Sequence, residues 1–311
     1  MTIAAKRGRP RAGGAALILA MLVAALAATV AVALAAEQQR WFVDVGNRRD
    51  QVQAQSLALA GVQWARQILN DDARGGLLDH LAEIWAYPLP ATPIANGSIE
   101  GRIEDAQGRV NLNNLALANA QGTIERMRMM QLLSAKGVNP ALVDTIADWT
   151  DADGSPRANG AEDAYYEQRS PTALAANMPL VRAAEMTSVR GASAKVWTAL
   201  ADDVVALPAG APLNINTAPT NVIAAAIPGL AGDKLAAFVA DRARKPFTTM
   251  AELRERLPRD VTLPEAASFS FGSSYFLVSV RSRQGDAIAQ ARALLKRDGR
   301  EWPSVVWQTL E

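Results

Sequence analysis

The sequence contains no cysteine and one histidine, His80, among its 311 residues. That excludes disulfides, thiol nucleophiles and thiolate zinc sites, and leaves His80 too few nitrogen or sulfur partners for a zinc centre. His80 also lacks the Ser and Asp pattern that a catalytic triad needs. No excess of one charge exists: 32 Lys and Arg oppose 31 Asp and Glu, a net +1. No global field therefore points to nucleic acid or to acidic substrates. A phosphate-cradling glycine loop, a nucleophile elbow and a metal-histidine motif are all missing, so the chain reads as non-enzymatic. The absence of cysteine is compatible with an oxidising compartment. The length suffices for two domains and a further small element.

What is present begins with an apolar run, Ala15 to Ala36, preceded by Lys6, Arg7, Arg9 and Arg11. It has about the twenty residues needed to cross the hydrocarbon core as a helix. The basic flank keeps the short leader in the cytoplasm and sends the remainder out. A cleaved secretory signal, with its cut among Ala33–Ala36, and an uncleaved signal anchor are two readings of this run. A third is a prepilin-type leader, because R-A-G-G-A-A-L-I-L-A-M-L resembles that signal, with cleavage between Gly14 and Ala15. In that case the cut precedes the helix and the anchor survives. The string K-R-G-R-P-R at Lys6–Arg11 also resembles a minor-groove DNA hook; directly before a membrane span it is a topology signal. Pilin-like chains carry Glu at the fifth residue after the cut, whereas this chain has Leu19.

Val45, Val52, Leu59, Val62 and Leu69 continue a helical stripe beyond the span, and Gly75-Gly76 is a stop. One helix from Ala15 to about Asn70 is roughly 80 Å long, half of it in the membrane. The alternative is two helices bent near Gly46. Tyr87–Pro93 is proline-rich and predicts a loop. Ser98–Glu104 predicts a strand, Asp105–Gly108 a turn, and Arg109–Leu112 a resumed alternation. An Ala- and Leu-rich helical region spans about Gly122 to Leu207. Strands return at Tyr275–Arg281, Ala287–Lys296 and Ser304–Gln308. Strands that bracket helices argue for a helical domain inserted into an antiparallel sheet domain, an α+β fold. Arg109–Leu115 and Pro212–Ala218 echo one another, and their Asn residues predict capped helix starts.

The most chemical stretch runs from Asp148 to Asp163. Asp151, Asp153 and Glu162 match positions one, three and twelve of a calcium-binding EF loop. Ser155 stands at position five, and Pro156 stands where that loop needs Gly, which rules out an EF-hand. A hard-cation site in an irregular oxygen cage and a solvated loop of helix-capping carboxylates remain the two readings. Leu213–Leu257 resembles a helix-hairpin-helix module. Its second hairpin Gly is displaced behind Ala231, Asp233 follows where a phosphate would be repelled, and its cations are partly balanced by acids. Counterion release needs a clear basic excess.

In their order, the leader, the apolar span, N-L-N-N-L, D-W-T-D-A-D…G-A-E-D-A-Y-Y, A-A-N-M-P-L, L-N-I-N-T-A-P and the late strands closely resemble the K-type minor pseudopilins of type II secretion. Leu19 is a departure shared with that family. The resemblance covers nearly the whole chain. It implies a long N-terminal transmembrane helix and a pilin-like antiparallel sheet head with a large inserted all-helical domain. The corresponding segments are a basic leader at 1–14, the membrane span at 15–36 and helix continuation with the first strands at 37–112. There follow a helical insertion at 113–207, a hairpin segment at 208–260 and closing strands at 261–311. It further implies calcium, with Asp151, Asp153, Glu162, Asp163 and Asn177 as the expected ligands. The implied localisation is a single-pass anchor in the inner membrane with a periplasmic head. The implied partners are a prepilin peptidase, which would cut at Gly14–Ala15 and leave a methylated terminus, and other minor pseudopilins. The implied role is initiating or capping a short filament that moves folded proteins across the outer membrane. A membrane-tethered DNA receptor is the alternative.

Overall fold

The computed structural model describes residues 13–263 and 269–311. The basic cluster Lys6–Arg11 lies outside them. Helix α1 runs unbroken through Gly13–Gly75, with Gly46 inside it, so the two-helix alternative does not hold. At 1.5 Å per residue it is about 95 Å long. Strands β1 (Leu89–Ile94) and β2 (Gly97–Asp105) follow. Then come β3 (Val110–Asn111), α2 (Ala120–Ala135), α3 (Leu142–Thr150), α4 (Asp163–Tyr166), α5 (Ala194–Leu200) and β4 (Val204–Val205). Next are β5 (Leu213–Asn214), α6 (Thr220–Ala226), α7 (Gly232–Arg244), α8 (Met250–Glu255) and β6 (Phe269–Ser270). The chain closes with β7 (Tyr275–Gln284), β8 (Ala287–Lys296) and β9 (Ser304–Leu310).

The head is one antiparallel sheet in the order β1-β2-β7-β8-β9. Because β2 and β7 are neighbours, paired from Gly97↔Gln284 to Asp105↔Phe276, everything between them leaves and re-enters at one point. That places the helical insertion beside the sheet without interrupting it. The α1 face on the sheet is Ala54, Ala58, Val62, Ala65, Leu69 and Ala73, all buried, at spacings of three and four. Ala54, Ala58, Val62, Ala65 and Leu69 share a core with Val278, Val280, Ala289, Ala291 and Ala293. Small residues on both sides bring the backbones close. A Cβ added at Gly61 would lie 2.6 Å from Val280 Cγ1. The larger-residue stripe read from sequence is rotated from this face: Val62 and Leu69 are buried, but Val45 and Val52 are exposed.

Two local expectations are corrected. Tyr87–Pro93 is not a plain loop: Leu89–Ile94 forms the edge strand β1, with a register irregularity between Leu89 and Thr92. Proline is tolerated there because an edge strand need not donate every amide. Arg109–Leu112 does not extend the main sheet; Val110 and Asn111 pair in parallel with Val204 and Val205.

The insertion has its own core, drawing on residues from Val110 to Phe269, and it is built on a repeated device. Asn111 Oδ1 accepts from Asn113 N at 3.2 Å, and Asn214 Oδ1 accepts from Asn216 N at 3.0 Å. Asn113 then brackets Leu180, accepting from its N and donating to its O, both at 2.9 Å. Asn216 brackets Phe247 in the same way at 2.8 Å. The bracketed segments match as well, P-L-x4-E at Pro179–Glu185 and P-F-x4-E at Pro246–Glu252. Glu185 accepts from Val181 N and Glu252 from Thr248 N, each at 3.0 Å. The N-x-N echo is thus two copies of one clamp, a larger role than the capping read from sequence.

A buried polar joint ties insertion, sheet and helix together. Asp105 Oδ2, at the end of β2, accepts from Asn214 Nδ2, Thr217 Oγ1 and Ser273 Oγ. Beside it, Arg297 Nη2 donates to both Asp79 oxygens at 2.6 and 2.5 Å, and Arg297 Nη1 donates to Asp72 on α1 at 2.7 Å. Burial raises the Asp105 carboxyl, and raises Asp79 to about 7 even against Arg297. Replacing Arg297 leaves Asp79 buried without its cation. Arg297→Met is expected to cost about 3–5 kcal/mol in chemical denaturation. Adding Asp79→Asn should recover much of that loss, and equal stability of the single and double variants would refute the pairing argument.

Candidate metal centre

Helix α3 ends at Thr150, where Asp151 turns to extended backbone (φ −80°, ψ 175°). The chain then loops from Asp151 to Glu162 before α4. Asp148, in the last turn of α3, is fully buried and anchors the loop. Its carboxylate accepts from Arg157 N at 3.1 Å and from Arg157 Nη1 at 2.6 Å. Arg157 Nη1 also reaches Asp151 Oδ2 at 2.5 Å. Gly160 closes over the same carboxylate, and a Cβ there would fall 1.6 Å from Asp148 Oδ2. Below the loop, Trp149 and Tyr166 pack edge-to-face at 4.9 Å, and Tyr166 Oη accepts from Arg190 N.

The loop brings Asp151, Asp153 and Glu162 together, with one carboxylate oxygen from each within 4.8 Å of the others. Two oxygens each 2.3–2.6 Å from a shared calcium can be at most about 5 Å apart, so this spacing suits one hard cation. Hydrogen bonding supports the same assignment. Asp151 Oδ1 and both Glu162 oxygens are buried and accept no hydrogen bond from the protein. Glu162 precedes α4 but makes no side-chain cap, which removes the bland reading for that residue. Asp153 Oδ1 accepts from Ser155 N at 2.9 Å, which shapes the turn.

The other two expected ligands stand differently. Asp163 is outside the close group, and its Oδ1 accepts from Ala175 N at 2.8 Å. That bond ties α4 to the strand of loop leading to Asn177. Asn177 has a left-handed backbone (φ 47°), and its buried Oδ1 has no hydrogen-bond donor. Asp148, Arg157 and Gly160 were not singled out from sequence. Asp148 lies three residues before Asp151, a helical spacing that signals a shared face.

Burial, together with Asp148, Asp151, Asp153 and Asp163, raises the Glu162 carboxyl to about 7. A second acidic group, Asp72, Asp79 and Glu83, has comparable spacing but is already supplied with donors. Arg297 pairs with both Asp residues, while Glu83 accepts from His80 N and Trp85 Nε1. It is an ion-pair cluster.

The hairpin segment presents few free cations. Lys234 pairs with Asp260, Lys245 with Glu252, and Arg256 with Asp241 and Glu252. Arg242 is buried and donates to Ile215 O and Ala218 O, so it holds backbone together. Helices α6, α7 and α8 contribute Val222, Phe238 and Leu253 to the insertion core.

A raised carboxyl stabilises the fold while protonated, below its unfolded value near 4.5, and loses that contribution as pH rises through about 7. In chelator-treated protein, thermal stability is expected to fall over that interval. Glu162→Gln should flatten the fall; an unchanged pH profile in the variant would remove Glu162 as its source.

Models of the family described as "Type II secretion system (T2SS), protein K" match residues 108–209 and 213–267. The type II secretion system protein K of Pseudomonas aeruginosa is 32% identical over 288 residues, covering 88% of this chain and 85% of the relative. That of Aeromonas hydrophila is 27% identical over 311 residues, covering 92% and 93%. Among solved structures, the GspK-GspI-GspJ complex from enterotoxigenic Escherichia coli contains a chain aligning with a TM-score of 0.69 at 23% identity. The alignment covers 86% of this chain and 99% of that one. The DNA-receptor alternative receives no support from these matches. Sequence relatedness along nearly the full length and a shared helix-plus-sheet architecture place this chain in the type II secretion system protein K family.

Proposed function

We propose that this protein is a minor pseudopilin at the tip of a secretion pseudopilus, where it initiates or caps the filament and has no enzymatic role. The observation that carries the reading is the division of α1. Its C-terminal part is packed on the sheet, while residues 14–45 are exposed and long and apolar enough to cross a membrane. A helix of that kind needs lipid or sister helices around it. In this proposal, α1 anchors the chain in the inner membrane before assembly, with the head in the periplasm. Other minor pseudopilins associate along its helix and head, as the neighbour's complex with GspI and GspJ suggests. The insertion widens one side of the head, which suits a subunit with nothing packed above it. Leu19 fits the same place, since a buried carboxylate without a partner is costly in a membrane.

The leader is proposed to be cut between Gly14 and Ala15 by a prepilin peptidase. The full chain, purified from detergent-extracted membranes, is expected to carry a methylated Ala15 and to bring smaller pilin-like subunits with it. Intact mass and peptide sequencing read both outcomes. A terminus near Glu37 would replace the anchor by an ordinary cleaved signal.

Calcium is the proposed ion of the acidic loop, held by Asp151, Asp153 and Glu162, with Asp163 and Asn177 as outer candidates. Those oxygens are hard, several are buried without donors, and calcium accepts irregular cages. The ion would supply charge compensation and order to the loop. Added calcium is expected to raise the melting temperature, with Asp153→Asn/Glu162→Gln abolishing the rise. A rise of equal size in the double variant would locate the ion elsewhere.

A further inference from the structure

We propose that the neck of α1 just outside the apolar span, Arg40–Val45, is an interfacial collar whose rings lie among lipid head groups and set how far the head stands from the membrane. The inference rests on the membrane-anchor reading above. Trp41, Phe42 and Val43 are 60%, 66% and 56% exposed, and Val45 is 44% exposed. Ala54 is the first fully buried residue of α1, so the head leaves this neck uncovered. Three consecutive residues advance about 100° each, so their apolar surface wraps roughly 200° of the circumference. A seam for one partner helix uses a narrower stripe at i, i+3, i+4 and i+7. A broad apolar collar suits surroundings that are apolar on several sides at once.

Position along the axis agrees. The 22 residues from Ala15 to Ala36 rise about 33 Å, against a hydrocarbon core of about 30 Å. Trp41 sits five residues further on, about 7.5 Å beyond the span, comparable with the depth of one head-group layer. Helical side chains lean toward the N-terminus, which here is the membrane side. The Trp41 and Phe42 rings, in edge contact at 5.3 Å, therefore lie over the turn Glu37–Arg40. That turn supplies polar groups at the same level, and an indole is suited to such a boundary, with an apolar body and one N–H donor.

The test uses the full chain in vesicles of phosphatidylethanolamine and phosphatidylglycerol with acyl chains brominated near the head group. Wild type is compared with Trp41→Phe, a change that leaves the six tryptophans of the head in place. In chain that co-floats with vesicles, shallow bromine should quench most of the Trp41 difference emission, and deep bromine should quench less. Co-flotation with no Trp41 quenching would overturn the collar while leaving the anchor intact. Failure to co-float would overturn the anchor and the collar together. A Trp41 signal that resists bromine but shifts blue as protein-to-lipid ratio rises would put a second helix there, again overturning the proposal.

Discussion

The fold depends on the close approach of one helix face to one sheet. Ala54, Ala58 and Ala65 contribute little bulk, and Ala289, Ala291 and Ala293 meet them with equally small side chains. What they provide is proximity, which lets Val62, Leu69, Phe276 and Val278 fill the remaining space at core density. Because this contact uses only the C-terminal part of α1, the same rigid rod is left to project as an apolar shaft. The two parts of the helix therefore differ in surroundings: one is packed on protein, and the other presents exposed apolar surface.

The sheet's second constraint is the adjacency of β2 and β7. Pairing these strands closes the head in space while opening it in sequence, so a large insertion can exit at Asp105 and return at Tyr275. The exit and the return are fastened by Asp105, Asn214, Thr217 and Ser273. Such a joint is directional where apolar packing is not, since every hydrogen bond to Asp105 fixes an angle as well as a distance. A second, apolar cluster carries Val205 and Leu207 against Leu294 and Leu277 of the sheet. Polar specificity and apolar area together hold the insertion against the head.

Much of this was legible in the residues. The long helix announced itself by composition, its stop by Gly75-Gly76, and β7 and β8 by strict alternation about Gly285. The acidic loop was legible as a cluster because Asp151, Asp153 and Glu162 stand at EF-like spacing, and the fold brings one oxygen of each within 4.8 Å of the others. Other features were hidden by physics that sequence patterns do not encode. The sheet-facing stripe of α1 does not follow hydrophobic size, because close backbone approach selects alanine at Ala54, Ala58 and Ala65. Strand β1 was hidden by Pro90 and Pro93, which edge pairing tolerates. The polar joint draws on residues 72, 79, 105, 214, 273 and 297, whose separations carry no period at all. Asp148 was passed over because its task is to brace the loop through Arg157, and nothing in a lone Asp distinguishes brace from ligand.

The paired clamps differ in one respect. Asn216 reaches Phe247 over 31 residues, while Asn113 reaches Leu180 over 67, a difference of 36. A little more than one doubling of contour raises the closure entropy by only about 0.6 kcal/mol. The larger demand is holding the added residues still, at about 1–2 kcal/mol of backbone entropy each. The acidic excursion is therefore tolerable as extra length but demanding as fixed shape. The clamp shows how such an excursion can be hung on an existing scaffold without disturbing it.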